Sequence, residues 1–360
     1  MVQVRVNTPS KAYDIEIETG LLKRLPQIFR KRYYGRRIAL ISDDRVFELY
    51  GKSFVHKLQE QGFETVVFTF PEGEEHKNIR TVEKIYCTLA DASFTRSDYV
   101  VALGGGVTGD IAGFAAATFL RGLGFIQIPT TLLAMIDSSV GGKTAVDMEQ
   151  GKNLIGAFYQ PDAVYTDPGL LDSLDDRLFS DGLAELVKHG LIRDRELFER
   201  LEMLGERTSI APHLEDLIST SCRIKASVVE QDEHDNGIRQ ILNFGHTIGH
   251  AVEKVRHYRG ITHGEAVAVG MVFITRMTER LGLTRRGTAD RISQTLASFH
   301  LPVAMPSDIR PEDLAKAIMI DKKSRSGTIT VAYLRDIGDC CLVKWSFKEL
   351  EDNLFAEFKN

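Results

Sequence analysis

The sequence has 360 residues, enough for two domains with separate cores, and its 43% hydrophobic and 26% charged content is ordinary for a globular protein. The net charge of -5 gives no basic footprint for nucleic acid, no run reaches the length of a membrane span, and the first residues are unlike a signal peptide. The four cysteines lack C-x-x-C spacing, so we expect reduced thiols in a cytoplasmic protein, without a disulfide framework or a thiolate metal site.

The first half of the chain alternates strand-like and helix-like segments. Two runs of alternating apolar residues predict a strand pair that turns at Thr8 to Ser10. Short apolar runs that end in polar residues then predict buried parallel strands, with amphipathic helices between them. The predicted strands are 37–43, 62–70 and 98–103, and the predicted helices are 21–31, 46–61, 81–92 and 111–119. This order predicts a doubly wound α/β domain.

A glycine-rich turn follows the strand at 98–103. Gly104, Gly106 and Gly109 fit G-x-G-x-x-G between a strand and a helix, where the backbone approaches a dinucleotide pyrophosphate at the helix N-terminus. The alternative is a simple strand-to-helix turn, because a single match of this kind is weak evidence. The acidic residue usual about 20 positions later is missing. Asp43, at the end of an earlier strand, is the candidate for the ribose instead.

Two glycine-rich loops carry lysines. Gly142-Lys143-Thr144 is similar to the end of a P-loop, but Asp137 stands where that motif requires its first glycine, which excludes nucleotide triphosphate hydrolysis. Lys143 and Lys152 suit a phosphorylated substrate, or they are solvated loop residues.

The second half is mostly helical by periodicity, from about residue 178 to about residue 319. We therefore divide the chain near Asp176, into domains 1–176 and 177–360. Glu185 and Lys188 are three residues apart and therefore lie on one face of a helix. They form either a surface ion pair or a buried functional pair. Near the end, residues 327–334 and 341–345 predict a small strand pair.

Three histidines fall in two short runs of the helical half. His246 and His250 are four apart, on one face of a helix, and His263 opens the next apolar run. Imidazoles at this spacing, with a carboxylate, indicate a metal site; the alternative is core or surface histidines that only form hydrogen bonds.

Together these motifs resemble the 3-dehydroquinate synthases of the sugar-phosphate cyclase family, and the resemblance covers nearly the whole chain. It implies an α/β N-terminal Rossmann-like NAD-binding domain plus an all-helical C-terminal metal-binding domain, with the active site in the cleft between them. The densest matches are residues 104–110, 128–143, 151–161, 182–188, 242–253 and 263–270.

The resemblance implies a role for each matching residue. The implied ligands of a zinc or cobalt ion are Glu185, His246 and His263, so His250 becomes an active-site residue that is not a ligand. The implied NAD-binding residues are Asp43, Glu72, Gly73, Glu74, Glu75, His76, Lys77, Gly105, Gly106, Val107, Thr108, Gly109, Asp110, Thr130 and Thr131, to which we add Lys143 and Lys152. The implied substrate and catalytic residues are Asp137, Lys143, Asn153, Lys188, Lys225, Arg239, Asn243 and His250, with Arg121 and Lys322. Arg45 departs from the family, which often has asparagine there, on the adenosine side of the cofactor.

The implied reaction converts 3-deoxy-D-arabino-heptulosonate 7-phosphate into 3-dehydroquinate and phosphate, in the shikimate pathway of aromatic amino acid biosynthesis. Oxidation at C5 by NAD, elimination of phosphate, return of the hydride, ring opening and an aldol closure follow one another, so NAD is regenerated. The alternatives are another sugar-phosphate cyclase, a metal-dependent alcohol dehydrogenase, and a non-catalytic NAD-binding protein on the same fold. We expect a small phosphorylated substrate, no nucleic acid or membrane partner, and a homodimer.

Overall fold

The structure, a computed structural model, describes residues 1–321 and 327–359. They form two compact units, which we call the first and the second unit. The first unit contains Met1–Leu174 and Lys225–His234, and the second contains Asp175–Ile224 and Asp235–Asn360. The division thus falls two residues before the predicted boundary, and the grouping of Lys225–His234 with the first unit was not predicted. Lys322 lies outside the described residues.

A seven-stranded sheet forms the centre of the first unit as described, in the order β1-β2-β9-β6-β5-β3-β4. The β1–β2 pair is antiparallel and the other pairs are parallel, as the doubly wound prediction requires. The strands of the chain are β1 (Val2–Asn7), β2 (Ala12–Ile17), β3 (Ile38–Asp43), β4 (Thr65–Phe70), β5 (Tyr99–Gly104), β6 (Gly124–Pro129), β7 (Lys143–Met148), β8 (Gly151–Phe158), β9 (Ala163–Thr166), β10 (Thr328–Asp336) and β11 (Asp339–Ser346).

Both faces of this sheet are covered by helices, so its central strands are mostly apolar. On β3, Ile38 and Leu40 pack into one hydrophobic cluster, while Ala39 and Ile41 pack into the other. The helices of the first unit are α1 (Leu21–Tyr33), α2 (Asp44–Val46), α3 (Lys52–Glu60), α4 (Ile79–Asp91) and α5 (Gly106–Thr118), with a π-helical turn at Phe47–Gly51 between α2 and α3. Residues of α1 and α3 belong to the first cluster, and residues of α4 and α5 belong to the second.

An antiparallel hairpin, β7–β8, carries the lysine-bearing segments that the sequence suggested were loops. Its register pairs Lys143 with Phe158 and Met148 with Gly151, with an irregularity after Val146. The hairpin was missed because glycines and lysines interrupt the apolar alternation that indicates a strand.

The second unit is helical, apart from the short antiparallel pair β10–β11 that the sequence predicted. The description of this domain as all-helical is therefore wrong in that one respect. The remaining helices are α6 (Asp176–Arg193), α7 (Arg195–Leu204), α8 (Arg207–Ile210), α9 (Leu214–Gln231), α10 (His246–Val255), α11 (His263–Arg280), α12 (Thr288–Ser298), α13 (Pro311–Asp321) and α14 (Phe347–Phe358). Within the described ranges, no helix has both the length and the hydropathy needed to cross a membrane.

Candidate active site

Three helices of the second unit bring one carboxylate and two imidazoles together. Glu185 lies in the middle of α6, His246 begins α10 and His263 begins α11. Their candidate ligand atoms all lie within 4.8 Å of one another. The Nε2 atoms of His246 and His263 are 3.5 and 3.8 Å from Glu185 Oε1, which is too long for hydrogen bonds.

These separations fit a shared metal ion. Two ligands at about 2.1 Å from a tetrahedral ion are about 3.4 Å apart, close to the spacing observed here. Glu185 is fully buried, and its Oε1 has no hydrogen-bond partner. Its Oε2 forms an ion pair with Lys188 on the same helix, which leaves Oε1 directed toward the two imidazoles. One carboxylate and two imidazole nitrogens are a donor set that binds zinc or cobalt.

Glycines let the three helices approach closely enough to form this cluster. A Cβ atom on Gly264, the residue after His263, would collide with the backbone of Asp181 on α6. A Cβ atom on Gly270 of α11 would collide with the carbonyl of Gly245, the residue before His246. Asp181 also accepts a hydrogen bond from the backbone N–H of Gly264, which ties the start of α11 to α6.

The two imidazoles lie in different electrostatic environments. Burial, with the nearby charges of Lys188 and His263, lowers the pKa of His246 well below its usual range, so this ring is neutral and ready to bind a metal. For His263, burial acts in the same direction, but the carboxylates of Glu253 and Glu185 prevail and raise the pKa to about 9.

Of the other predicted residues of the second unit, Lys188 lies on α6 and His250 on α10, while Arg239 and Asn243 lie on the 3-10 helix Ile238–Asn243 that precedes α10. Lys188 and Arg239 are almost completely buried, each about 1% exposed, whereas Asn243 is partly buried and His250 is exposed. The rings of His246 and His250 lie 5.2 Å apart, and His250 lies 5.8 Å from His263. Burying a charge is costly unless it is compensated, and the Lys188 charge is compensated by Glu185 on the same helix.

The glycine-rich turn in the first unit forms a site of a different kind. Helix α5 starts at Gly106, five residues earlier than predicted, directly after β5. Gly105 is its N-cap and forms no side-chain hydrogen bond to the first turn, so the free N–H groups of that turn remain available for an anion. Thr130, at the end of β6, has a buried hydroxyl group without a hydrogen-bond partner. Free N–H groups and an unpartnered hydroxyl group fit a bound dinucleotide.

Asp43 is held beside this helix start. Its Oδ1 accepts a hydrogen bond from the Val46 N–H at 2.8 Å, and its Oδ2 accepts one from the Thr108 hydroxyl group at 3.2 Å. Burial raises the pKa of Asp43, although both hydrogen bonds oppose that shift. The carboxylate at the end of β3 therefore lies next to the first turn of α5, as an acidic ribose-binding residue must. Arg45 points to Glu72, 3.6 Å away.

Lys77 connects the loop after β4 with α5 and with the β7–β8 hairpin. Its Nζ lies 2.6 Å from Asp110 Oδ2 and donates a hydrogen bond of 2.6 Å to Asn153 Oδ1. The backbone N–H of Asn153, a residue with a φ of 55°, is held by Asp147 at 2.8 Å. Lys152, on the same hairpin, lies 3.6 Å from Glu74. Residues predicted to bind NAD and a residue predicted to bind substrate thus form one network.

Among the remaining predicted residues of the first unit, Lys225 is buried, whereas Lys143 and Arg121 are exposed. Lys225 Nζ lies 2.7 Å from Asp137 Oδ1 and donates to the Asp137 carbonyl at 2.6 Å. Lys143 is exposed at the start of β7, and Arg121 has a left-handed φ of 67° in an exposed turn.

Comparison with known proteins identifies related chains over almost the full length. Residues 67–181 match the family described as "3-dehydroquinate synthase N-terminal", and residues 182–324 match "3-dehydroquinate synthase C-terminal". The 3-dehydroquinate synthase of Clostridium acetobutylicum is 48% identical and covers 97% of this chain and 98% of its own length. The enzyme of Clostridium kluyveri is 41% identical, over 99% of both chains.

Solved structures with the same architecture contain the expected cofactors. A 2-deoxy-scyllo-inosose synthase complexed with carbaglucose-6-phosphate, NAD+ and Co2+ is 26% identical, with a TM-score of 0.88 over 98% of this chain and 99% of its own. The 2-epi-5-epi-valiolone synthase of Streptomyces hygroscopicus subsp. jinggangensis, with NAD+ and Zn2+ bound, is 27% identical, with a TM-score of 0.87 over 99% of both. An iron-containing alcohol dehydrogenase at 17% identity and a TM-score of 0.67 shares the fold alone.

Proposed function

This chain belongs to the 3-dehydroquinate synthase family, and we propose that it converts 3-deoxy-D-arabino-heptulosonate 7-phosphate into 3-dehydroquinate and phosphate in the shikimate pathway. It uses NAD and a divalent metal ion, zinc or cobalt. The observation that carries the proposal is the cluster of Glu185, His246 and His263 in a chain that also has a dinucleotide-binding helix start. The substrate is a small molecule that carries a carboxylate and a phosphate.

Glu185, His246 and His263 would hold the metal ion, which would supply a Lewis acid for the oxidation of the substrate. Lys188 neutralises part of the charge on Glu185 and keeps its Oε2 occupied, so that this carboxylate binds through Oε1 alone. Its ammonium group then has hydrogens left for a substrate oxygen.

The first turn of α5, in the segment Gly105 to Asp110, binds the pyrophosphate of NAD through those N–H groups that have no intrahelical acceptor, and Asp43 accepts a hydrogen bond from a ribose hydroxyl group. NAD supplies the hydride acceptor for the oxidation and the donor for the later reduction. Thr130 and Thr131 belong to the same site, with the loop Glu72 to Lys77. Lys77, in this loop, donates a hydrogen bond to Asn153, so the same lysine stabilises both the cofactor-binding loop and a substrate-binding residue.

Cations bind the two anionic groups of the substrate. Arg239 presents a planar fork that forms two parallel hydrogen bonds to a carboxylate or a phosphate, whereas Lys143 and Lys225 act as point charges. Asp137 keeps Lys225 in place. The substrate phosphate takes the C6 proton during elimination, while Asn243 and His250 orient it. Arg121 and Lys322 are further candidates for phosphate binding.

An alcohol dehydrogenase is the main competing function, because such enzymes share this domain plan. The 41–48% identity to 3-dehydroquinate synthases over at least 97% of the chain favours the cyclase, whereas likeness to the dehydrogenases extends to the fold only. A cytoplasmic homodimer is part of the proposal, and the mass measured by sedimentation equilibrium tests the dimer.

Metal content tests the proposed cluster. We expect His246→Ala to weaken metal affinity at least about 100-fold and to remove activity together with the metal. Loss of a residue that only hydrogen-bonds to a metal ligand already costs 10–100-fold in affinity, and loss of the ligand itself should cost more. Elemental analysis of the purified protein provides the measurement. His56→Ala is the matched control, because His56 is an imidazole 74% exposed on α3. Full metal occupancy in His246→Ala would refute this ligand set.

A further inference from the structure

Glu253 is a buried carboxylate for which we predicted no role from the sequence. It lies on α10, seven residues after His246, and is 4% exposed. Its Oε2 lies 3.6 Å from Nδ1 of His263 on the neighbouring helix α11. Positions seven apart share a helix face, so α10 directs both a proposed ligand and this carboxylate toward the start of α11.

The two imidazoles of the cluster are oriented in the same way. In each ring Nε2 faces Glu185 Oε1, at 3.5 Å for His246 and 3.8 Å for His263. The other nitrogen of each ring faces an acceptor, namely the Phe244 carbonyl at 3.2 Å for His246 and the Glu253 carboxylate for His263. A neutral imidazole has one N–H group, so an acceptor at Nδ1 selects the tautomer whose Nε2 lone pair is free.

We propose that Glu253 is a positioning residue that accepts the Nδ1–H of His263 and thereby fixes the ring with Nε2 free to bind the metal. The inference rests on the proposed function, since it presupposes a metal on Glu185, His246 and His263. The present 3.6 Å exceeds a formed hydrogen bond by about half an ångström, a gap that the flexible glutamate side chain can close. Metal-bound histidines generally have such an acceptor on the second nitrogen.

A different arrangement would make Glu253 a ligand itself. Atoms of His250, Glu253 and His263 also lie within 4.8 Å of one another. That site would use an exposed histidine and would leave the buried Glu185 carboxylate without a metal, which favours the positioning role. The two arrangements differ in their dependence on His250, because only the second requires its imidazole.

The test measures the affinity of the full chain for Zn2+, by competition with a chromophoric chelator, in wild type, Glu253→Gln and Glu253→Ala. We expect the affinity for Zn2+ to fall 10–100-fold in Glu253→Ala, which is the usual range when a hydrogen-bond acceptor of a metal ligand is removed. We expect a smaller fall in Glu253→Gln, because its amide oxygen still accepts the Nδ1–H. The visible spectrum of the Co2+ form should keep its intensity in both, since the ligands are unchanged. NAD affinity, which depends on the first unit, should not change.

Glu265→Gln is the matched control. Glu265 completes the capping box of α11 and pairs with Arg177, so its replacement by glutamine weakens the ion pair at the same helix start without removing the acceptor at Nδ1. We expect its affinity for Zn2+ to stay within about 3-fold of wild type, far less than the effect at Glu253.

Three results would overturn the inference. If Glu253→Ala keeps the wild-type affinity for Zn2+, Glu253 has no role in metal binding. If Glu265→Gln loses as much affinity as Glu253→Ala does, the effect at Glu253 reflects helix stability only. A loss in His250→Ala as large as in Glu253→Ala, with an altered Co2+ spectrum, would make Glu253 a ligand. The proposed function fails separately, if the wild-type chain itself binds no metal.

Discussion

Asp110 is a carboxylate whose charge depends on one lysine. It lies in the first turns of α5, 18% exposed, with Lys77 Nζ 2.6 Å away. Burial raises the pKa of Asp110 to about 6, although the Lys77 charge and hydrogen bond oppose the shift. For Lys77, burial acts to lower the pKa, but Asp110 and Glu74 prevail and raise it. Near neutral pH this pair is ionised, so it can hold Asn153 and the cofactor loop together.

The raised pKa of Asp110 predicts a pH-dependent stability. The folded protein binds the Asp110 proton more tightly than the unfolded chain, whose aspartates titrate near 3.9. This contribution to stability is complete below the unfolded pKa and disappears as pH rises through about 6. We expect wild type, compared with Asp110→Asn, to lose about 2 kcal/mol of unfolding free energy between pH 4.5 and pH 7.5. Denaturant titrations of both proteins at the two pH values measure the unfolding free energies. If the unfolding free energies of wild type and Asp110→Asn change with pH in the same way, Asp110 has an ordinary pKa.

Residue spacing predicted the chemistry of the metal cluster only in part. The four-residue separation of His246 and His250 suggested two ligands on one helix, whereas the resemblance implied Glu185 instead of His250. In the structure the candidate ligand atoms of Glu185, His246 and His263 lie within 4.8 Å of one another, and His250 belongs to a different group, with Glu253 and His263. No sequence pattern predicted a role for Glu253 or Asp181. A carboxylate that orients a metal ligand on another helix has no fixed sequence separation from that ligand.

At the scale of elements, helix α5 shows why a boundary was misplaced. The prediction began at Ile111, since the glycines before it have poor helix propensity. The helix begins at Gly106, directly after β5, because Gly105 and Gly106 let the backbone turn tightly from the strand into the helix. The missed hairpin β7–β8 has a similar cause. Local propensity is weakest where the backbone serves a ligand.

Gly106 therefore offers a test of the dinucleotide site. A Cβ atom there would lie 3.1 Å from Ser138 Oγ, a contact that a small rotation relieves, so the fold should tolerate substitution. We expect NAD affinity to fall more than about 10-fold in Gly106→Ala and further in Gly106→Val, because side-chain atoms at the helix start hinder the close approach of the pyrophosphate. Isothermal titration gives the affinities, and an unchanged metal content controls for folding. Wild-type NAD affinity in Gly106→Val would place the pyrophosphate elsewhere.

On the scale of the whole molecule, the order of elements was predictable and the grouping of segments was not. Alternating strands and helices, followed by a mostly helical half, predicted both units. Only tertiary contacts show that the end of α9, with Lys225, groups with the first unit, because the helical period continues unchanged through the division. The fold alone leaves the function open, since alcohol dehydrogenases share it. The resemblance to the synthases, in the motifs that carry site residues, was needed to distinguish them.

The most direct test of the proposed function is the balance between product and cofactor in one reaction mixture. The purified, metal-loaded protein is incubated with 3-deoxy-D-arabino-heptulosonate 7-phosphate and a small amount of NAD. We predict 3-dehydroquinate and phosphate in equal amounts, over many turnovers per NAD, without build-up of NADH, because each oxidation is followed by return of the hydride. NADH that accumulates in proportion to the substrate consumed, without 3-dehydroquinate, would contradict the proposed function and identify a dehydrogenase.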